Sequence, residues 1–258
     1  MIQVNTEELQ RTGFTLLRGA VHSSELAEFE DMVQRFAFEQ AQKLSLAPTG
    51  VEPFIDVFSV GGSYTDRIYQ LMERLFILHK ITVRVGNELA SSGFLKWARI
   101  DVPLIWPDIR ADIPNDSVRV LPVHQDFGST QSERAWRLWI ALRPTSEILG
   151  SMVVYPGTHK SGAWPHNLDN PLMPYVEEKY YAGVEGVTFE IEAGDAVLMN
   201  PLVLHASVPN RSKRTKFTLM IQIQDYLSVI HPEDNGTQLA SLQTIAKVRA
   251  KARAEQTR

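Results

Sequence analysis

His124 and Asp126 stand two positions apart in "LPVHQDFGST", directly after the apolar "VRV". On a strand, residues i and i+2 project from one face, so this pair could aim an imidazole and a carboxylate at one point. A surface strand with two outward polar positions would give the same pattern. A third group is needed, and "AGDAVLMNPLVLHAS" offers it, with His205 directly after the apolar "LVL". Two imidazoles and one carboxylate with the remaining positions open form the facial set of non-haem Fe(II) oxygenases, in which O2 and a chelating co-substrate bind side by side. Such sets also occur in catalytic zinc sites, so these three residues do not choose the metal.

The segment after His205, "HASVPNRSKRTKFTLMIQIQ", bears on that choice. Many oxygenases of this kind oxidise 2-oxoglutarate, whose distal carboxylate needs a cation if it is to lie inside a barrel. Arg214 and Lys216 sit where the next strand opens, and their spacing puts them on one face. A pair of solvated charges is the competing reading of the same residues.

The elements that must position these groups change character along the chain. "TEELQRTG" reads as a short helix with Thr6 as cap and Gly13 as stop. "FTLLRGAV" follows as a short strand. "SSELAEFEDMVQRFAFEQAQKLSL" is a helix behind a serine cap, with Leu26, Phe29, Met32, Val33, Phe36 and Ala37 at helical spacing. "APTGVEPFIDVFSVGGSY" reads as a loop and "TDRIYQLMERLFILHKITVRVGNELAS" as one long helix; His79 within it joins no polar constellation. After residue 93, short apolar runs separated by turn residues ("FLKWARIDV", "SVRVLPVHQD", "AWRLWIALRP", "GSMVVYPG", "GVTFEIEAGD", "AVLMNPLVLHAS", "KFTLMIQIQD") predict an all-β barrel or sandwich, of which a jelly roll is one form. A turn and a basic helix close the chain. The expectation is one domain over 1–258: a mainly helical flank (1–93) packed on the outside, a β core (94–226) and a C-terminal turn and helix (227–258).

Composition sets outer bounds. The 258 residues are 44% hydrophobic and 22% charged, with net charge −4 and no cysteine. Disulfides and thiolate metal sites are excluded, and no basic stripe suggests nucleic acid. No apolar run approaches the ~18 residues that a membrane span needs. The N-terminus lacks the pattern of a signal peptide. These features predict a cytoplasmic protein with a small-molecule substrate, binding neither nucleic acid nor membrane.

"GFTLLRGAVHSSEL", "VHQDFG", "RLWIALRPTSEILGSMVVYPGTHKSG" and "GDAVLMNPLVLHASVPNRSKRTK" together resemble the phytanoyl-CoA dioxygenase family of Fe(II)/2-oxoglutarate-dependent oxygenases, over roughly residues 5–226. The resemblance implies a double-stranded β-helix (jelly-roll) core with Fe(II) held by His124, Asp126 and His205. It places Trp139 on a core strand close to the iron and the co-substrate, and Ser207 at a small polar position able to hydrogen-bond that co-substrate. Asn210 is expected to be structural, and Pro156, Gly157, Thr158 and His159 to form a loop near the mouth, with His159 not a ligand. The family's usual arginine for the distal carboxylate falls at Lys216, where lysine supplies a point charge without the planar fork. Lys216 is the favoured anchor and Arg214 the second choice.

By this resemblance the activity is 2-oxoglutarate-dependent hydroxylation of an unactivated C–H, with succinate and CO2 released. Halogenating relatives replace the carboxylate ligand with a small residue, so Asp126 favours hydroxylation or desaturation. The rival classes are a non-catalytic jelly-roll module that binds a small molecule or glycan, and a cupin-type hydrolase or isomerase using zinc or manganese. Substrate selection is expected in three segments read as loops, "VEPFIDVFSVGGSY", "IWPDIRADIPND" and "WPHNLDNPLMPYVEEKYYAG". Arg110, Trp164, His166, Lys179, Tyr180 and Tyr181 there could meet a polar or anionic molecule.

Overall fold

The computed structural model describes residues 2–47, 52–116, 120–167, 169 and 174–230. The expected C-terminal helix lies almost wholly outside them. Helix α1 (Thr6–Thr12) starts one residue after Asn5, whose side chain accepts from the Glu8 N–H, so Asn5 rather than Thr6 is the cap. Gly13 ends it at φ 90°, and a Cβ there would lie 2.2 Å from Val203. Glycine is the residue that fits both constraints.

Strand β1 (Phe14–Leu17) leads to α2 (Ser23–Lys43), where His22 and not a serine is the cap; its backbone N–H donates to the Glu25 carboxylate. The stretch expected to be a loop holds α3 (Pro53–Phe58), started by a proline in its first turn and buried through Phe54, Val57 and Phe58. The single long helix is two, α4 (Gly62–Met72) and α5 (Phe76–Ser91). No glycine or proline marks the break. "FLKW", expected to be strand, is a helical turn, α6 (Phe94–Trp97), whose Phe94 and Trp97 pack on Trp136 at 5.4 and 5.5 Å between ring centroids.

The strands are β2 (Pro103–Asp112), β3 (Ala135–Ala141), β4 (Ser151–Val154), β5 (Val187–Thr188), β6 (Ala196–Met199), β7 (His205–Val208) and β8 (Lys216–Asp225). They form a five-stranded sheet, β1-β6-β3-β8-β2, and a three-stranded sheet, β5-β4-β7. Every strand pairing among the described residues is antiparallel. The fold is a jelly-roll core with flanking helices, and β1, from the N-terminal flank, is an edge strand of the large sheet. "IWPDIRAD" is therefore strand and not loop. Strand β2 tolerates Pro103 and Pro107 because it is the opposite edge and, among the described residues, pairs only with β8.

The large sheet has two different faces. Its outer face packs against the helices through Leu138, Ile140, Leu219, Ile221 and Ile223 with Phe29, Ile81, Val85 and Leu89. Its inner face meets the small sheet through Phe14, Trp139, Val197 and Met199 with Met152 and Val154. The inner face also carries the charged residues, because alternation along β2, β3 and β8 sends them there.

Candidate metal centre

His124 and His205 are pinned to one another by their backbones. Each N–H donates to the other's carbonyl, at 2.9 Å and 3.0 Å, and the ring centroids lie 4.2 Å apart. His205 opens β7, whereas His124 sits in an isolated bridge and Asp126 begins a 3-10 turn (Asp126–Ser129). The expected strand through His124 and Asp126 is thus broken. The turn still brings Asp126 back, with its two carboxylate oxygens 3.7 Å from His124 Nε2 and 3.7 Å from His205 Nε2. Ligand atoms from all three residues lie within 4.8 Å of one another.

The donor chemistry suits a cation. Nδ1 of His124 lies 2.7 Å from the Pro122 carbonyl and Nδ1 of His205 3.1 Å from that of Val203. A carbonyl only accepts, so each Nδ1 donates, leaving a lone pair on the inward Nε2. Burial, with His205 beside it, pushes His124 down to about 3 and keeps it neutral. For Asp126, burial opposes ionisation, but the Arg137 guanidinium beside it outweighs burial and the carboxyl is held at about 2. Two neutral imidazoles and one carboxylate are the form in which these groups bind a divalent metal.

Arg137 supports this carboxylate from the inner face of β3, with Nε 3.2 Å from Asp126 Oδ2. Its guanidinium also donates to Ser129 Oγ. The Gln222 amide, its oxygen turned toward Arg137, accepts from both terminal nitrogens. Gln125, between the two ligand candidates, ties the following loop to the centre. Its Nε2 donates to the carbonyls of Gly162 (2.9 Å) and Leu202 (2.6 Å), and its Oε1 accepts from the Trp164 N–H at 2.8 Å. That loop carries Pro156, Gly157, Thr158 and His159, and Thr158 Oγ1 accepts from the Leu204 N–H at 2.9 Å.

The centre opens into a cavity of about 290 Å³ lined by both sheets, including Trp139, Ser207, Met220 and Lys216. Lys216 closes one end, 4% exposed, with Nζ 2.7 Å from Asp112 Oδ2 and 5.6 Å above the Trp139 ring. Arg110 approaches the same carboxylate, Nε to Oδ1, at 2.5 Å. Burial raises Asp112, but Arg110 and Lys216 together bring it below the usual carboxylate range. One buried carboxylate thus sits between two cations at the end of the cavity.

The structure therefore brings His124, Asp126, His205, Trp139, Ser207 and Lys216 into one cavity. Arg214 is not among them. It precedes β8 in an exposed turn, in a surface groove with Glu30 and Glu52. Lys216 is the first residue of β8 and in register with Asp112, so alternation in the sheet begins with it and leaves Arg214 outside. Asn210 braces this turn, donating to the carbonyls of Asp112 (2.8 Å) and Arg214 (2.7 Å). His79 lies on α5, away from the cavity lining. Sequence reasoning missed Asp108, Asp112 and Arg137 and saw Arg110 only as a loop residue. Their signal was a charge at every second position of "PDIRAD" and a lone arginine in "AWRLWIA".

Comparison with known proteins agrees with this geometry. Residues 108–218 match the family model of phytanoyl-CoA dioxygenase. Peroxisomal phytanoyl-CoA dioxygenase of Mus musculus is 27% identical over 230 residues, covering 79% of this chain and 62% of the mouse protein. The chain thus spans about three-fifths of that relative's length. Two crystal structures share the fold at low identity. The epimerase SnoN from nogalamycin biosynthesis, in complex with Fe3+, α-ketoglutarate and nogalamycin RO, is 17% identical with TM-score 0.54, over 85% of this chain and 81% of its own. EvdO2 from Micromonospora carbonacea var. aurantiaca, complexed with 2-oxoglutarate, is 17% identical with TM-score 0.55, over 86% and 92%. Among the described residues, no helix is long and apolar enough to cross a membrane. Over residues 108–218 the chain is thus similar to the phytanoyl-CoA dioxygenase family, and it shares the jelly-roll fold of the SnoN and EvdO2 structures.

Proposed function

We propose that this protein is an Fe(II)/2-oxoglutarate-dependent dioxygenase that hydroxylates an unactivated C–H of a small molecule. The observation that carries the reading is the convergence of His124, Asp126 and His205 in a cavity closed by the Asp112-bridged cations Lys216 and Arg110. His124, Asp126 and His205 would hold the metal. Bound Fe(II), with 2-oxoglutarate and O2, supplies the oxidising power, and succinate and CO2 leave.

The chain's own residues do the rest. Arg137 keeps Asp126 ionised and oriented, and the Pro122 and Val203 carbonyls fix the tautomers of the histidines. Lys216, with Arg110 beside it, would receive the distal carboxylate of 2-oxoglutarate, and Ser207 and Trp139 would flank the co-substrate. Met152, Met199 and Met220 keep the remaining wall apolar, which excludes water from the reacting carbon. That the SnoN and EvdO2 structures hold α-ketoglutarate or 2-oxoglutarate on this fold supports the choice of co-substrate. We place the protein in the cytoplasm, acting as a single domain over 1–258; cell fractionation checks the first and limited proteolysis the second.

Purified protein given Fe(II), 2-oxoglutarate and air should form succinate slowly even without its substrate, and form none under nitrogen. No succinate with any substrate offered would favour the non-catalytic binding module, and succinate formed equally under nitrogen would contradict the oxygenase reading.

A further inference from the structure

We propose that Met152, Met199 and Met220 are modification sites: when the centre turns over without substrate, their thioethers take up the oxygen atom that substrate would have received and become methionine sulfoxide. This rests on the oxygenase reading of the same site and adds to it a reaction of the protein's own chain.

The sequence holds seven methionines. Three of them, one each from β4, β6 and β8, line the cavity that contains His124, Asp126 and His205. Met32 and Met72 lie elsewhere, in a groove of the helical layer between α2 and α4. Residues directly opposite in an antiparallel pair share a face, with Cβ atoms about 4.5–5.5 Å apart. Register therefore sets two of the cavity thioethers beside the ligand set. Met199 is opposite Arg137, whose Nε lies 3.2 Å from Asp126 Oδ2. Met152 is opposite Ser207, which shares a face with His205 two residues earlier on β7. Met220 is opposite Trp139.

The oxygen balance requires an acceptor. When O2 and 2-oxoglutarate react, the C1 carboxylate leaves as CO2 and one atom of O2 enters the new carboxylate of succinate. The other atom is the one that substrate receives as a hydroxyl. With neither substrate nor added reductant present, that atom goes to a group on the wall. A thioether accepts it without losing a proton or breaking a bond. A sulfur lone pair forms the S–O bond, so sulfur is oxidised by two electrons as the oxygen atom is reduced. One 2-oxoglutarate, one O2 and one methionine thus become one succinate, one CO2 and one methionine sulfoxide.

The rest of the wall competes poorly. The chain has no cysteine, and among the described residues no tyrosine lines the cavity. Leu121, Leu138 and Ala206 offer only C–H bonds. Trp139 is the other electron-rich group, but Lys216 Nζ lies 5.6 Å above its ring, and a positive charge there opposes removal of electrons from the indole. Burial gives the sites a signature. Met152 and Met199 are 4% and 2% exposed, whereas Met32 is only half-buried. An oxidant arriving from solvent meets Met32 first, and one formed in the cavity meets Met152, Met199 and Met220 first.

The test incubates the full-length protein with Fe(II), 2-oxoglutarate and air, without substrate or ascorbate. Succinate is measured, and peptide mass spectrometry locates any added oxygen. Oxygen should accumulate on Met152, Met199 and Met220 in step with succinate, ahead of Met32 and Met72. Under nitrogen, and in His205→Ala, the three should stay unoxidised. Metal-free protein treated with hydrogen peroxide should show the reverse order, with Met32 ahead of Met152 and Met199. Succinate formed while the three cavity thioethers stay unoxidised would overturn the proposal and leave the oxygenase reading standing. So would oxygen appearing on Met32 as fast as on them. Peroxide that strikes Met152 and Met199 first in the metal-free protein would also overturn it, since a solvent oxidant would then account for their oxidation. Neither succinate nor oxygen on the chain would count against both the proposal and the oxygenase reading.

Discussion

Lys216 and Phe217 are consecutive on β8 and lie on opposite faces of one sheet. Phe217 is fully buried against Phe29 of α2 and Phe54 of α3, with ring centroids 5.5 Å and 5.0 Å away, and Leu219, Ile221 and Ile223 continue that face into the helical layer. Lys216, Met220 and Gln222 continue the other face into the cavity. The outer face asks only for apolar volume of the right shape, and its partners are other side chains of the same kind. The inner face holds buried charges, and its cations meet carboxylates: Asp112 of β2 for Lys216 and, two residues along the same strand, for Arg110, and Asp126 of the 3-10 turn for Arg137. Stability and chemistry are therefore carried by alternate residues of one strand, and substitutions should separate them.

The largest separation is expected at the centre. His124→Ala, Asp126→Ala and His205→Ala should each abolish Fe(II)-dependent succinate formation while the far-ultraviolet circular dichroism stays that of wild type. None of the three belongs to the apolar clusters that hold the sheets and helices together. Loss of folded signal in any of them would mean that the inner face carries stability after all.

Phe217→Ala is the converse. It should destabilise the protein by about 3–5 kcal/mol in denaturant titrations, because it empties a fully buried site packed by Phe29 and Phe54. The folded fraction should keep its apparent Michaelis constant for 2-oxoglutarate. A co-substrate defect here would show that the faces are mechanically coupled.

On the inner face, Lys216→Ala should raise that constant by about two orders of magnitude, since losing the partner of a buried carboxylate costs ~3–5 kcal/mol. Arg110 remains to recover part of it. Lys216→Arg should retain partial activity. Arg214→Ala, on the exposed turn, should change nothing measurable. A selective co-substrate defect in Arg214→Ala would move the anchor outside the cavity described.

The smallest effect concerns Asp108 and pH. Its carboxyl is raised from 3.8 to about 6 in the folded protein, so the folded state holds that proton more tightly than the unfolded state. The resulting stabilisation is complete below the unfolded value and lost as pH rises through the folded one. Wild-type stability minus that of Asp108→Asn should therefore fall between about pH 4 and 6, measured by urea titration at each pH. A flat difference would mean that Arg137 offsets burial and Glu73 in full.

Much of the site was legible before the structure because its residues follow simple patterns. His124, Asp126 and His205 end apolar runs, and Lys216 starts one. What the pattern gave falsely was a continuous strand through Asp126, which the 3-10 turn interrupts. It could not separate Arg214 from Lys216, since both spacings fit one face. Only the register of β8 with Asp112 does so. The charges of β2 were hidden by Pro103 and Pro107, which read as loop but are compatible with an edge strand. In the helical flank, Gly13 marked a true stop, whereas no glycine or proline marks the α4–α5 break, and the helical "FLKW" packs on Trp136, a distant partner that local sequence does not encode.

The central claim is that the three ligand residues and the cation pair form one co-substrate-binding metal site. It is tested most directly by adding Fe(II) and then 2-oxoglutarate anaerobically and recording the visible spectrum. Wild type should develop a weak charge-transfer band that saturates with 2-oxoglutarate. His205→Ala should develop none, and Lys216→Ala should reach the same band only at much higher 2-oxoglutarate. No band in wild type, or a band that forms normally in His205→Ala, would contradict it.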